Sequence, residues 1–195
     1  MNQEEIADQI KAKITVSEEA LDFFFKQMSL RKLSKNQHLI KEGGNEVHFI
    51  LVKSGCLMTY FKAKGHIHVI QFGSEMWWTG DMKAFTEDET SFYSIKAMRD
   101  SEVYLMDKVG LHKLLQKVPA FQEYFRIIFQ NALISHQKRI VRNISYSAEE
   151  KYLEFIYKYP DIEQIVAQKY IASFIGITPE FLSKLKRKLA EKKIA

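Results

Sequence analysis

Two histidines separated by one residue, His66 and His68, have the spacing of metal ligands. Alternate side chains of a strand point to the same face, so the two imidazoles would lie together. A metal site built on such a strand also needs a correctly spaced glutamate and a third histidine from a distant part of the chain. Glu75 instead lies beyond the expected end of the strand, and His112 falls in a predicted helix. We therefore expect no metal and no other cofactor.

The nucleophilic side chains do not favour an enzyme. No Ser/His/Asp or Cys/His arrangement stands out, and no phosphate-binding loop of the form GxxxxGKS or GxxxxGKT is present. The single cysteine, Cys56, excludes an internal disulfide framework, a multi-cysteine zinc site and an iron–sulfur cluster held by cysteines. We expect no catalytic residues.

Basic residues concentrate near the end of the chain. The whole chain carries a net charge of +5 and has a pI of about 9.1. Between residues 169 and 193, two acidic residues, Glu180 and Glu191, accompany seven basic ones: Lys169, Lys184, Lys186, Arg187, Lys188, Lys192 and Lys193. This segment favours a polyanionic partner, although a solvated helix face would have the same composition.

The same segment has the spacing of two short helices joined by a tight turn. We expect the first helix over about residues 168–175. Gly176 follows it, where a left-handed residue can end one helix and redirect the chain. Thr178 and Pro179 are residue types favoured at the start of the next helix.

The second helix is expected to have an apolar inner face and a polar outer face. The inner face contains Phe181, Leu182, Leu185 and Leu189. Two such helices, the second exposed and basic, predict a DNA-binding helix-turn-helix, and a helical hairpin that does not bind DNA is the alternative. The expected DNA-binding residues are Gln168, Lys169, Thr178, Glu180, Ser183, Lys184, Arg187 and Lys188.

Glycines mark turns in the first half of the chain. Six of the eight glycines lie between Gly43 and Gly80. They separate short runs of β-branched and aromatic residues, a pattern typical of an antiparallel roll or barrel. The expected strands cover residues 48–52, 57–61, 66–72, 91–97 and 102–106.

A segment without glycine, from Pro119 to about Ser145, predicts a long helix. It has two apolar rows. The first row contains Phe121, Phe125, Ile128 and Ala132 and continues through Ser135 or His136 and through Arg139 or Ile140. The second row contains Tyr124, Ile127 and Ile134. A helix with two apolar rows needs two partners, which we take to be the roll and the same helix of a second subunit. Burial within one large monomer is the alternative.

Two shorter helices are expected on either side of these elements. One covers residues 17–27 and turns Leu21, Phe24 and Phe25 toward the roll. The other, over residues 148–159, is capped by Ser147, and its expected buried residues are Tyr152, Leu153, Phe155 and Ile156.

In its order of roll, long helix and helix-turn-helix, the chain resembles the Crp/Fnr family of transcription regulators from about Leu33 to Ile194. The resemblance implies an α+β fold with an antiparallel β-roll sensor domain (1–117), a dimerisation helix (118–145) and a helix-turn-helix domain (146–195). It also implies four partners: double-stranded DNA, a second copy of the chain, RNA polymerase and an unidentified small-molecule effector. Two recognition helices about 34 Å apart would meet a pseudo-palindromic site.

The sequence departs from the family pattern in the recognition helix. Glu180 keeps an acidic residue that can accept from cytosine, Lys184 stands where the family has an arginine, and Pro179 replaces a second arginine. We therefore expect a different DNA sequence preference. No β-hairpin wing is expected, because the sequence ends at Ala195, and DNA contact would depend on the helix-turn-helix and the basic terminus.

The expected effector pocket departs from the family pattern as well. Gly80 and Asp81 stand at the family's glycine–glutamate pair, but Ser91 and Phe92 stand at its arginine–serine pair. Without the arginine, taking a cyclic phosphate out of water would cost on the order of several kcal/mol. We expect no tight binding of cyclic AMP or cyclic GMP. The remaining candidate effector residues are Tyr93, His136 and Gln137.

The beginning of the chain favours a cytoplasmic protein. Residues 1–13 lack the apolar core of a secretory leader, and no apolar run approaches the length of about eighteen residues that predicts a membrane span. The main expectation is thus a homodimeric DNA-binding regulator without membrane contact. The alternatives are a dimeric interaction or sensor module that does not bind DNA, and a cupin-like metalloenzyme.

Overall fold

A computed structural model describes residues 2–194, with the backbone alone at residues 192–194. Residues 2–194 form nine helices and eight strands. The helices are α1 (Gln3–Lys11), α2 (Glu18–Lys26), α3 (Met82–Glu87), α4 (Lys108–Lys117), α5 (Ala120–Ser145), α6 (Ala148–Lys158), α7 (Ile162–Ile165), α8 (Gln168–Ile175) and α9 (Pro179–Ile194). The strands are β1 (Met28–Leu33), β2 (His38–Ile40), β3 (Phe49–Ser54), β4 (Leu57–Ala63), β5 (His66–Gly73), β6 (Trp78–Thr79), β7 (Ser94–Ala97) and β8 (Ser101–Met106). None of the described helices is long and apolar enough to cross a membrane.

The strands form two antiparallel sheets of four. One sheet has the order β1-β8-β3-β6 and the other the order β2-β7-β4-β5. A core cluster of the described residues is built from both sheets and includes Leu33, Ile50, Leu57, Ile95 and Val103. The antiparallel roll predicted from the glycine spacing is confirmed.

The first half of α5 closes one end of the roll through an aromatic core. Phe121 stacks on Phe24 of α2, with ring centroids 4.8 Å apart. Trp78 Nε1 donates to Tyr124 Oη at 3.0 Å. Burial raises the pKa of Tyr124 to about 12, although the hydrogen bond from Trp78 opposes the shift. The predicted long helix is confirmed, and Pro119 directly precedes it.

The helix α1 was not expected from the sequence. Asn2 Oδ1 accepts the N–H of Glu5 at 2.8 Å, and Glu5 Oε2 accepts the N–H of Asn2 at 3.0 Å. This pair is a capping box, a local pattern from which the helix could have been predicted. The helix is held to the protein by Ile6 and Ile10, both fully buried.

The helix α6 begins as predicted and buries fewer residues than predicted. Ser147 and Glu150 form a capping box at its start. Tyr152 and Phe155 are buried, but the predicted burial of Leu153 is wrong, since its side chain is half-exposed. Leu153 lies about 100° further around the helix axis than Tyr152, on the exposed side of α6.

Candidate nucleic-acid interface and effector pockets

A left-handed glycine separates the two C-terminal helices. Gly176 ends α8 with φ of 77° and ψ of 36°, in the left-handed region that favours glycine. Thr178 Oγ1 then accepts the N–H of Phe181 at 3.2 Å, and Pro179 is the first residue of α9. The turn between α8 and α9 therefore contains the residues and conformations expected from the sequence.

The two helices bury one apolar layer between them and their neighbours. This layer includes Ile171, Ala172, Ile175, Leu182 and Leu185, with Leu189 partly buried. The assignment of Phe181 to the inner face is wrong, because its side chain is about half-exposed. Phe181 precedes the fully buried Leu182 and so points about 100° away from the core.

The eight side chains assigned to DNA are all exposed: Gln168, Lys169, Thr178, Glu180, Ser183, Lys184, Arg187 and Lys188. The members on α9 recur every three or four residues and so occupy one side of the helix. Lys186 differs, because its Nζ lies 2.6 Å from Oε1 of Glu163 at the inner side. The side chains of Lys192 and Lys193 lie outside the described residues.

The second half of α5 carries an exposed apolar row. Leu133 and Ile140 are each 59% exposed, and Ile144 is 81% exposed. Their spacing of seven and four residues is that of the contact positions of a coiled coil. Ile134 and Val141 extend the row on one side and are also exposed. The row points away from the roll, which α5 contacts through its opposite side.

On that opposite side, α8 and α5 bind the free backbone groups of β5, which pairs with β4 at one edge and with no described strand at the other. Ser173 Oγ accepts the N–H of Val69 at 3.0 Å and donates to the carbonyl of Ile67 at 2.8 Å. The guanidinium of Arg139 donates to the carbonyls of Ile70 and Val69, the latter at 3.2 Å. The helix-turn-helix is therefore attached to the roll in this structure.

Sequence reasoning missed both Ser173 and Arg139. No local pattern reveals Ser173, because its role depends on the distant strand β5. The role of Arg139 could have been predicted in part, since a cation within an otherwise apolar helical row needs polar partners on that face. It also lies over the ring of Phe174, 4.4 Å from the centroid.

The buried carboxylate of Asp81 uses the hydrogen-bond donors of the predicted effector pocket. Its Oδ1 accepts the N–H of Ala84 at 3.1 Å, and its Oδ2 accepts the Ser91 hydroxyl at 3.1 Å and the N–H of Phe92 at 2.8 Å. A bound phosphate would need such donors for itself. The carboxylate thus occupies the donors that an anionic ligand in this pocket would need.

The preceding glycine is required by close backbone approach. Gly80 has φ of +149°, and a Cβ there would lie 2.8 Å from the carbonyl oxygen of His48. A side chain at this position would force the loop away from its neighbour.

The structure does not bring all seven candidate effector residues together. Asp81, Ser91, Phe92 and Tyr93 line one pocket of about 490 Å³, here called the cassette pocket, and Gly80 adjoins it in the chain. His136 lines a separate cleft of about 230 Å³ beside α5, here called the junction cleft. Gln137 is exposed and lines neither of them.

The His66–His68 pair has no further metal-binding partners within the described residues. No group of three His, Cys, Asp or Glu side chains converges in that part of the chain. His68 instead stacks on Phe61, with ring centroids 5.0 Å apart, and His66 is exposed.

Comparisons with known proteins agree with this architecture. Residues 30–118 match the family model of the cyclic nucleotide-binding domain. The sequence matches no curated protein. The fold is similar to that of the c-di-GMP responsive global regulator CLP of Xanthomonas campestris, at 13% identity and a TM-score of 0.70, over 91% of this chain and 93% of that one.

Two further solved structures have the same fold. A mutant of CooA from Carboxydothermus hydrogenoformans has 16% identity and a TM-score of 0.71, with 93% of this chain and 88% of that chain covered. The catabolite activator protein of Thermus thermophilus has 15% identity and a TM-score of 0.57, with 91% and 85% covered. The α+β fold class predicted from the sequence is confirmed.

Substituting Ser173→Ala should loosen the attachment of α8 to β5. The Val69 N–H and the Ile67 carbonyl would lose their partner, at a cost of about 1–3 kcal/mol. We expect hydrogen exchange of the Val69 amide, followed by NMR, to become at least about tenfold faster. Ser145→Ala is the control, because the Ser145 hydroxyl donates within α5 to the carbonyl of Val141. Unchanged exchange at Val69 in Ser173→Ala would contradict this role.

The intact protein should not bind cyclic AMP tightly. The donors around Asp81 are already engaged, and its carboxylate would repel the cyclic phosphate. Calorimetric titration is expected to give no saturable heat up to about 1 mM nucleotide. Micromolar binding would show that this inference is wrong.

Proposed function

Because the chain is Crp/Fnr-like in domain and fold, with a cyclic nucleotide-binding domain at residues 30–118, we propose that it is a transcription regulator that binds double-stranded DNA as a homodimer. The proposal divides the chain into the β-roll sensor (1–117), the dimerisation helix (118–145) and the helix-turn-helix domain (146–195). RNA polymerase is the partner through which the bound dimer would affect transcription.

The observation that carries the proposal is the exposed polar side of α9. Glu180 and Ser183 lie near its start, where a recognition helix meets base edges. Lys184, Arg187 and Lys188 follow on the same side and would meet guanine or phosphate. The left-handed turn at Gly176 connects α8 to α9, as the tight turn of a helix-turn-helix does.

The apolar row of α5 supports the homodimer. Leu133, Ile140 and Ile144 would meet their counterparts in a second α5, since paired helices bury contact positions of this spacing. With 26 residues, α5 is about 39 Å long. In the proposed dimer, each α5 would connect the sensor domain of its own subunit to the DNA-binding domain and pair with the other α5. Such a pair would present two recognition helices to major grooves about 34 Å apart.

The cassette pocket is a candidate binding site for an effector other than a cyclic nucleotide. An effector at the roll would act by changing how the two α5 helices set the spacing of the recognition helices. A difference in effector affinity between two arrangements of the dimer is the physical requirement for such regulation.

Substituting Lys184→Ala should weaken DNA binding in a way that identifies its contact. If Lys184 donates to guanine, binding should weaken by about 1–3 kcal/mol and selectivity should relax at one base position. A uniform loss over all sequences would mean that Lys184 touches phosphate alone. Fluorescence anisotropy on fragments selected from random DNA, repeated at several salt concentrations, would measure both effects.

Lys113→Ala is the matched control for Lys184→Ala. It removes the same charge from an exposed lysine of α4, far along the chain from α9. We expect it to leave DNA affinity within about twofold of the original, because Lys113 is not among the residues of the proposed interface and an exposed charge outside an interface is largely screened. If the intact protein binds no DNA even at low salt, the dimeric interaction module without DNA binding becomes the better account.

Substituting Ile140→Glu should separate the dimer. A carboxylate in the apolar row would be taken out of water without a partner, which costs several kcal/mol. We expect analytical ultracentrifugation to change from a dimer to a monomer, and DNA affinity to fall at least about a hundredfold as the second half-site is lost.

Val109→Glu on α4 is the control for Ile140→Glu. Val109 is 60% exposed, against 59% for Ile140, so both substitutions place a carboxylate at an equally exposed apolar position. Dissociation of both variants would point to a different interface, and dissociation of neither would contradict the proposed dimer.

A further inference from the structure

The junction cleft lies where the roll, the long helix and the DNA-binding region meet. Its volume is about 230 Å³, and its walls come from β5, the loop before β6, α5, α6 and α8. Ile70 and Trp77 form the roll side, and Phe174 of α8 forms part of the opposite side. No lining residue is shared between this cleft and the cassette pocket. It is therefore a separate candidate site.

The charged groups of the junction cleft have one sign. Arg139, Arg142 and Lys158 line it, and none of its described lining residues is acidic. Arg139 is engaged by backbone carbonyls, and Arg142 pairs with Glu154. These two cations are held in place by the fold itself.

Lys158 has a different environment. Its ammonium lies 5.1 Å from the ring centroid of Trp77 and 5.3 Å from that of Tyr159. Among the described residues it forms no ion pair with a carboxylate. Partial desolvation lowers the pKa of Lys158; the charge of Arg142 adds to this effect and the charge of Glu154, which is paired with Arg142, opposes it. A cation over aromatic rings that forms no direct ion pair is suited to an anion that also offers a flat apolar surface.

The cassette pocket has the opposite electrostatics. Three of its lining residues are acidic, Glu42, Asp81 and Glu89, and Lys83 is its single described base. Lys83 is itself paired with Glu89 at 2.5 Å. An organic anion would therefore be repelled from the cassette pocket and attracted to the junction cleft.

We propose that the junction cleft binds a small aromatic carboxylate, with its ring against Trp77 and Phe174 and its carboxylate at Lys158. The volume of the junction cleft is sufficient for an aromatic ring, since a cavity of roughly 150 Å³ accommodates benzene. The bound molecule would touch the roll, α6 and α8 together. It would thereby stabilise the arrangement in which α8 is attached to β5.

The test uses the full-length protein and its own tryptophans. Trp77 and Trp78 are the two tryptophans of the chain, and both line the junction cleft. We expect phenylacetate and 3-phenylpropionate to change the tryptophan fluorescence saturably. Phenylacetamide, which has the same ring without the charge, should bind at least about tenfold more weakly.

Two lysine variants locate the site. Lys158→Met keeps an unbranched apolar side chain and removes the ammonium, and it should weaken phenylacetate binding about tenfold while leaving phenylacetamide binding unchanged. Lys83→Met removes the base of the cassette pocket in the same way and should leave both affinities unchanged.

Three results would overturn the proposal. These are the absence of a saturable response to either carboxylate up to about 10 mM, equal affinity for phenylacetate and phenylacetamide, and weakening by Lys83→Met rather than by Lys158→Met. The titrations contain no DNA. A failure here is therefore distinguishable from a failure of the proposed DNA binding.

Discussion

The free edge of β5 is the constraint on which the arrangement of this protein depends. An outer strand presents unpaired N–H and carbonyl groups, and each such group costs about 1–3 kcal/mol if it is buried without a partner. Here the side chains of Ser173 and Arg139 satisfy one N–H, of Val69, and three carbonyls, of Ile67, Val69 and Ile70. The core cluster beneath continues from Met58 and Val69 of the roll to Phe155 and Ile175 of the C-terminal helices. The roll and the helix-turn-helix are therefore physically joined in this structure.

Because of this attachment, α5 has a different partner on each of two sides. Arg139 faces the roll and holds β5, whereas Ile140, the next residue, belongs to the exposed apolar row. Any movement of α5 against the roll would disturb the bonds to Val69 and Ile70. Any change in the pairing of two α5 helices would also move Arg139. A dimer built on this row would thus couple its own geometry to the contact between the roll and the helix-turn-helix.

The elements that could be predicted are those whose pattern is local. The β4–β5 runs, the caps at Ser147 and Thr178 and the left-handed turn at Gly176 depend on nearby residues, and the structure contains them. The two-residue strand β6 was not predicted because so short a strand has no periodicity. The inward faces were predicted less well, since Leu153 and Phe181 are apolar yet exposed. The junction cleft combines five distant segments, and no spacing within one segment could have revealed it.

The two candidate effector pockets differ in what they could control. The cassette pocket is organised by Asp81, Ser91 and the start of α3, so a ligand there would contact the roll and could affect the C-terminal helices only through α5. The junction cleft has walls on both sides of the β5 contact. A ligand bridging Trp77 and Phe174 would add its own contacts to those of Ser173 and Arg139 and would favour the attached arrangement. A ligand whose site includes α8 binds more tightly when α8 is in place, and of the two pockets only the junction cleft has a wall formed by α8.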